Sequence, residues 1–261
     1  MKGLVCCVLL ALPSPFVRAQ SPFDGTWKID LAESPAPTTP YAYSLQGGVY
    51  RCMTCDPTLV LPADGRDHAV AGNPCSDTAR IDVVNDRTIL ETDKKGGRTV
   101  GTSEMTVTAD GNSATVDWME SCNANREAIS GKDVLSRVSE GPPGSHAISG
   151  AWRILKRENR SESALVVTLK LEGNTFSFSD PSGQSYAAKL DGTETPFRGD
   201  LNKTNVSVKR LKDGSIEETD KRDGRVVEVT RFAPTVDRKT MTVAMEDKRT
   251  GTVREFVLRR Q

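Results

Sequence analysis

Apolar residues recur along this chain in short alternating runs, with a period of two and not the 3–4 spacing of a buried helix face. Gly25, Trp27, Ile29 and Leu31 alternate with Thr26, Lys28 and Asp30, which turns Trp27 toward a core. Such runs are rich in Val, Ile and Thr and are broken by Gly, Asp and Asn every 8–12 residues or so, the spacing of an antiparallel sandwich or barrel. The pattern predicts strands over 25–31, 43–52, 58–61, 68–71, 79–84, 88–93, 98–108, 113–119 and 134–138. It predicts a second series over 150–156, 165–171, 175–179, 185–190, 205–211, 215–220, 225–232, 240–246 and 253–260. No 12-residue stretch holds a helical period. The fold class read from this is all-β.

The two series are copies of one unit. Residues 64–116 lie on 191–243 without a gap at an offset of 127, and 16 of the 53 positions are identical. The centre of the match is Glu91-Thr92-Asp93-Lys94 against Glu218-Thr219-Asp220-Lys221. Upstream, Gly25-Thr26-Trp27 answers Gly150-Ala151-Trp152 at an offset of 125. Periods of this length mean two similar domains, because solenoid repeats are shorter. The expected division is a leader at 1–19, a first domain at 20–138, a linker at 139–145 and a second domain at 146–261. One register must serve both copies, so Ala114, Val116 and Trp118 point inward, as do Met241, Val243 and Met245.

Met1 to Ala19 has the layout of a secretory signal peptide. Lys2 supplies the basic start, Leu4 to Leu12 the apolar stretch, and Val17-Arg18-Ala19 the small-residue cleavage site. The expected location is therefore secreted or periplasmic. No run reaches the roughly 18 apolar residues of a membrane span. Removing Lys2 and Arg18 from 35 basic residues leaves 33 against 35 acidic, net −2. That balance offers no electrostatic reason to expect nucleic acid or an anionic membrane as partner. Four cysteines remain after the leader: Cys52, Cys55, Cys75 and Cys122. An even count in an exported chain favours bridges, and the expected pairs are Cys52–Cys55 and Cys75–Cys122. All four lie in the first copy, so the second must hold its fold by packing alone.

Gly25-Thr26-Trp27 and Gly150-Ala151-Trp152, each near the start of a unit of eight or nine up-and-down strands, resemble the Gly-x-Trp of lipocalin-like (calycin) β-barrels. The chain after Gln20 also resembles a group of uncharacterised exported bacterial proteins with two tandem lipocalin-like domains. That match is carried by Phe23-Asp24-Gly25-Thr26-Trp27-Lys28, Tyr50-Arg51-Cys52-Met53-Thr54-Cys55-Asp56, the Glu-Thr-Asp-Lys hairpins and Ser145-His146-Ala147-Ile148-Ser149-Gly150. The resemblance implies two tandem antiparallel up-and-down β-barrels of 8–9 strands each. It also implies an arginine of the last strand packed over each tryptophan. Arg137 and Arg260 match that position, with Arg259 as the alternative beside Arg260. The barrel floors would then be Trp27, Arg137, Trp152 and Arg260, leaving the opposite, hairpin end open.

Little in the chain points to catalysis. Cys52-Met53-Thr54-Cys55 has redox or zinc spacing, but no second Cys-x-x-Cys exists to complete a zinc site. The motif also ends a strand, without the helix N-terminus that activates a redox thiol. With only His68 and His146 in the chain, a Ser-His or His-metal centre has almost no material. Lys94-Lys95-Gly96-Gly97 lacks the following helix of a phosphate loop and reads as a four-residue hairpin turn. That loop would set Asp93 opposite Arg98 and Asp220 opposite Arg225. It would also set Glu91 opposite Val100 and Glu218 opposite Val227, with both glutamates facing inward. A carboxylate there needs a partner or a raised pKa.

The function expected from these observations is a non-enzymatic exported protein that binds a small, partly apolar ligand, with no cofactor and no metal. The candidate ligand residues are Glu91, Trp118, Phe176, Phe178, Tyr186, Glu218, Met241 and Met245. The alternative is a structural or protein-interaction module of the cell envelope with filled barrels. An interior space below about 150 Å³ favours the second reading, since ligand sites usually measure about 300–1,000 Å³.

Overall fold

A computed structural model describes residues 21–55 and 57–261; the leader expected at 1–19 lies outside them. The strands of the first half are β1 (Gly25–Asp30), β2 (Tyr41–Gln46), β3 (Val49–Cys52), β4 (Leu59–Pro62) and β5 (His68–Ala69). They continue with β6 (Thr78–Asn85), β7 (Thr88–Lys95), β8 (Arg98–Val107), β9 (Ser113–Glu120) and β10 (Ile129–Glu140). The second half has β11 (Gly150–Glu158), β12 (Val166–Glu172), β13 (Thr175–Ser179), β14 (Ser185–Lys189) and β15 (Thr195–Pro196). It ends with β16 (Asn205–Arg210), β17 (Ile216–Arg222), β18 (Arg225–Pro234), β19 (Thr240–Asp247) and β20 (Val253–Arg260). Among the described residues the sole helical element is one 3₁₀ turn, Glu162–Ala164. The protein is all-β.

These strands form two antiparallel, nearly closed, barrel-like sheets of ten strands each. Ten exceeds the expected eight or nine because two features are invisible to alternation alone. The run read as one strand over 43–52 is a hairpin, β2 and β3, folded at Gly47-Gly48, both with positive φ. In the second half the two-residue strand β15 is the added member, whereas β5 answers the run expected over 68–71. In the second sheet the edge strands meet through Ser185 and Arg198, which exchange backbone hydrogen bonds of 3.0 and 2.8 Å. In the first sheet the gap between β4 and β6 is bridged by Gly65, whose N–H donates to the Ile81 carbonyl at 3.1 Å.

The sheets do not follow the expected division at 20–138 and 146–261. Strand β1 pairs with β12 and β20 and belongs to the second sheet. Strand β11 pairs with β10 and β2 and belongs to the first. The first barrel is therefore the continuous stretch β2–β11, and the second is β12–β20 completed by β1. The expected linker is also corrected. Ser139 and Glu140 are the last residues of β10, paired with Ala151 and Gly150, and 141–149 form the turn of the β10–β11 hairpin. The chain instead crosses between barrels at 31–40 and 159–165.

The exchange is possible because β1 and β11 carry the same instructions. Each presents Gly-x-Trp, and each indole is fully buried. Trp27 Nε1 donates to the Phe23 carbonyl at 2.8 Å, and Trp152 Nε1 to the Ile148 carbonyl at 2.9 Å. The glycines are required by the backbone. Gly150 has φ +127°, and a Cβ there would sit 2.2 Å from the Ser139 carbonyl oxygen. Around these indoles lie two separate cores. The first contains Tyr50, Ile81, Leu135, Ile148 and Trp152. The second contains Phe23, Trp27, Phe176, Val206 and Met241.

Both bridges are formed, Cys52–Cys55 and Cys75–Cys122. The second closes a 47-residue separation, and loop-closure entropy alone gives such a link about 4 kcal/mol. Both lie in the first barrel, so the second relies on its core and on β1.

Candidate functional site

The floor of each barrel is an arginine laid over an indole. Arg137 Cζ stands 4.0 Å from the Trp152 ring, and Arg260 Cζ 4.5 Å from the Trp27 ring. Each pairing joins the two copies, as the strand exchange demands. Arg137 donates to the carbonyls of Gly111, Ser149 and Ala147 at 2.5–2.7 Å. Arg260 donates in the same way to Arg238, Asp24 and Pro22. Arg259 points elsewhere, to Asp30 and Glu33. Five donors fixed on a flat ion let one side chain satisfy several turn carbonyls while it covers a ring.

Away from the floors, both barrels repeat a tyrosine–glutamate pair. Tyr50 Oη donates to Glu91 Oε2 at 3.1 Å, and Tyr186 Oη donates to Glu218. Burial is the first cause of every shift in these groups. It pushes Glu91 up to about 7, aided by the charge of Asp93 and opposed by the Tyr50 bond. It drives Glu218 well above the usual carboxyl range, with Asp220 adding to the rise. It pushes Asp220 up to about 7, aided by Glu228 and opposed by Glu218 and Arg222.

The hairpin register places these acids, and it differs from expectation. The β7–β8 loop is two residues, Gly96-Gly97, with φ +56° and +78°. Asp93 then pairs with Gly101 and Glu91 with Ser103, across a bulge. In the second copy Asp223-Gly224 forms the turn, Asp220 pairs with Glu228 and Glu218 with Thr230. A four-residue loop would have set Asp220 against Arg225 at the rim. The tight turn, favoured by Gly-Gly and Asp-Gly, pulls Asp220 inward two residues beyond Glu218 and on the same face.

The second barrel contains a cavity of about 450 Å³. Its apolar wall includes Ile29, Val167, Phe178, Phe197, Met245 and Phe256. Its polar wall includes Asp200, Glu218, Asp220, Arg222, Glu228 and Arg254. Phe178 stacks on Tyr186 at 5.6 Å and meets Phe197 edge-on at 5.7 Å. Ile29 comes from β1, so the exchanged strand lines the site.

The first barrel differs. Tyr41, Tyr43 and Tyr50 stack in series at 6.4 and 6.5 Å, the first two packed against its core and the third part of it. Its cleft, about 380 Å³, lies along the seam between β4 and β5 and includes Glu91 and Asp93. At the end of this barrel opposite Trp152, Trp118 lies under Arg160 at 4.5 Å and donates to Asp133 at 3.2 Å. Arg160 pairs with Asp133 there.

Of the expected ligand residues, Phe178, Glu218 and Met245 line the second cavity and Glu91 the first cleft. Phe176 and Met241 are fully buried packing, Tyr186 is buried as the partner of Glu218, and Trp118 is covered by Arg160. The expectation missed Asp220, Phe197 and Phe256. Alternation back from Arg260 through Leu258 and Phe256 to Arg254 could have found one; the correct turn would have found another. Phe197 lies just past β15 and has no such pattern. Among the described residues no group of three or more His, Cys, Asp or Glu could hold a metal ion, and no helix is long and apolar enough to cross a membrane.

Comparisons with protein-family models, with curated proteins and with solved structures return no match. The site is therefore read from its geometry.

The acids of the second barrel predict a pH dependence. Glu218 and Asp220 bind protons more tightly in the folded than in the unfolded chain, whose values lie near 4.5 and 3.8. Their contribution to stability is complete below those values and is lost as pH rises toward about 7. The second barrel should melt at lower temperature at pH 8 than at pH 5, and the Glu218→Gln/Asp220→Asn double variant should flatten that slope. A variant that keeps the parental slope would assign the effect to other groups.

Proposed function

We propose that this chain is an exported, non-enzymatic protein whose second barrel binds a small, partly apolar molecule. The observation that carries the reading is the cavity of about 450 Å³, inside the range of ordinary ligand sites and well above a packing void. Aromatic and aliphatic residues on one wall and a few convergent polar groups on the other suit such a ligand. The arginine-covered Gly-x-Trp floors support a lipocalin-like kinship for both barrels. Two bridges together with the leader-like segment 1–19 support export. The first barrel supports the second reading for itself alone. Its cleft opens along the β4–β5 seam and has no aromatic wall, and it serves as a disulfide-braced structural partner.

A neutral naphthalene dye that brightens in apolar surroundings tests the reading. Saturable brightening in the parent, lost in Met245→Trp, is the expected result. No saturable binding, or binding indifferent to Met245→Trp, would overturn it. Native mass spectrometry of the protein purified from its own envelope should show a co-purified small molecule.

A further inference from the structure

We propose that the ligand of the second barrel is a lipophilic ammonium, its cationic nitrogen seated against Glu218 and Asp220 and its apolar body among Phe178, Phe197 and Phe256. This rests on the binding role proposed above and specifies the ligand's chemistry.

Three observations carry it. First, Asp220 Oδ1 has no hydrogen-bond partner, although only 9 % of the residue is exposed and it lines the cavity. A buried carboxylate oxygen without a donor is costly unless something supplies one. Second, Glu218 stands on the same strand and face, 6 % exposed, with only the Tyr186 hydroxyl donating to it. The site thus holds two acids in a space that contains no lysine. Third, the nearby cations are engaged. Arg222 Nε donates to Thr204 Oγ1 at 3.0 Å, and Arg254 pairs with Glu228 at 2.8 Å. Asp200 is taken by its own turn, where Asn202 and Thr204 donate to it.

Four acids, Asp200, Glu218, Asp220 and Glu228, therefore face the space against two arginines. An anion would meet that excess at close range, and a neutral donor could serve Asp220 Oδ1 but would leave the excess charge unbalanced. An ammonium supplies three donors and a charge, and the aromatic wall receives its flank through cation–π attraction. In the empty protein burial favours a proton on this pair of acids. A bound ammonium takes the place of that proton, so binding below neutral pH releases one. The first barrel keeps the glutamate and aspartate, but the cleft beside them has no aromatic wall, so one site per chain is expected.

The test is titration calorimetry with three probes that share a phenylethyl body: 2-phenylethylamine, 2-phenylethanol and 3-phenylpropionate. At pH 8 the amine should bind at least tenfold tighter than the alcohol, and the carboxylate weakest. At pH 5.5 the amine should bind more weakly, and its heat should vary with buffer ionisation enthalpy as a proton is released. Asp220→Asn and Glu218→Gln should each remove the preference for the amine. Glu217→Gln, the same change on the outer face of the same strand, should leave it intact. Melting curves check that each variant folds. Equal affinity for amine and alcohol, or a preference that survives Asp220→Asn, overturns the proposal. If the neutral dye still binds in that case, the ligand pocket stands and only its ammonium specificity falls. If neither dye nor amine binds, both fall.

Discussion

Residues 41–158 produced alone are expected to fold cooperatively, whereas residues 159–261 alone are not. The first stretch contains every strand of its sheet, from β2 to β11, with both disulfides, Trp152 and its covering Arg137. The second lacks β1, and with it Trp27, the ladder to β12 and the ladder to β20. Losing that strand opens the barrel between two neighbours and uncovers Arg260 and Leu258. Adding a peptide of residues 21–31 should restore folding, because it supplies Phe23, the indole and both ladders. Near-ultraviolet circular dichroism and thermal melting of the fragments read this directly. A cooperative transition in 159–261 without the peptide, or none in 41–158, would show that β1 does not complete the second barrel.

Trp27→Ala is expected to unfold the C-terminal barrel, although the residue lies near the N-terminus. The indole is fully buried, bonded to the Phe23 carbonyl and covered by Arg260. Truncating a buried tryptophan costs about 3–5 kcal/mol. The guanidinium–indole attraction adds about 0.5–2 kcal/mol depending on desolvation. That approaches the entire stability of an ordinary domain, and no disulfide braces this barrel. Hydrogen exchange resolved by peptide should show protection lost across 166–260 and retained across 41–158. Trp152→Ala should give the converse, tempered by the two bridges. Protection lost across 41–158 in Trp27→Ala would return β1 to the first barrel.

Much of this was legible from residue order. Alternation of apolar and polar side chains is a local property, so strand positions and inward faces followed from it. Ala114, Met241 and Val243 are buried as the shared register of the two copies required. Cysteine count and spacing led to Cys52–Cys55 and Cys75–Cys122. Two of the misses were local in origin. Reading Gly47-Gly48 as part of a strand hid a hairpin, and reading 94–97 as a four-residue loop hid the inward position of Asp93 and Asp220.

What residue order alone determined is the repeated all-β unit: where its strands run, which faces turn inward, and that each copy begins with a glycine-tethered indole. What only the tertiary structure decided is which barrel each indole completes, and hence where a cavity remains. Two copies with the same Gly-x-Trp edge satisfy the same ladders and the same arginine cover in either pairing, so the strand's own sequence is degenerate between partners. The nine-residue turn at 141–149 breaks that degeneracy by joining β11 directly to β10, and it is tied to β2 where the Ser149 hydroxyl accepts from the Leu45 N–H and the His146 N–H donates to the Leu45 carbonyl. With β11 committed to the first barrel, β1 is left for the second, and its Ile29 becomes part of the wall around Glu218 and Asp220.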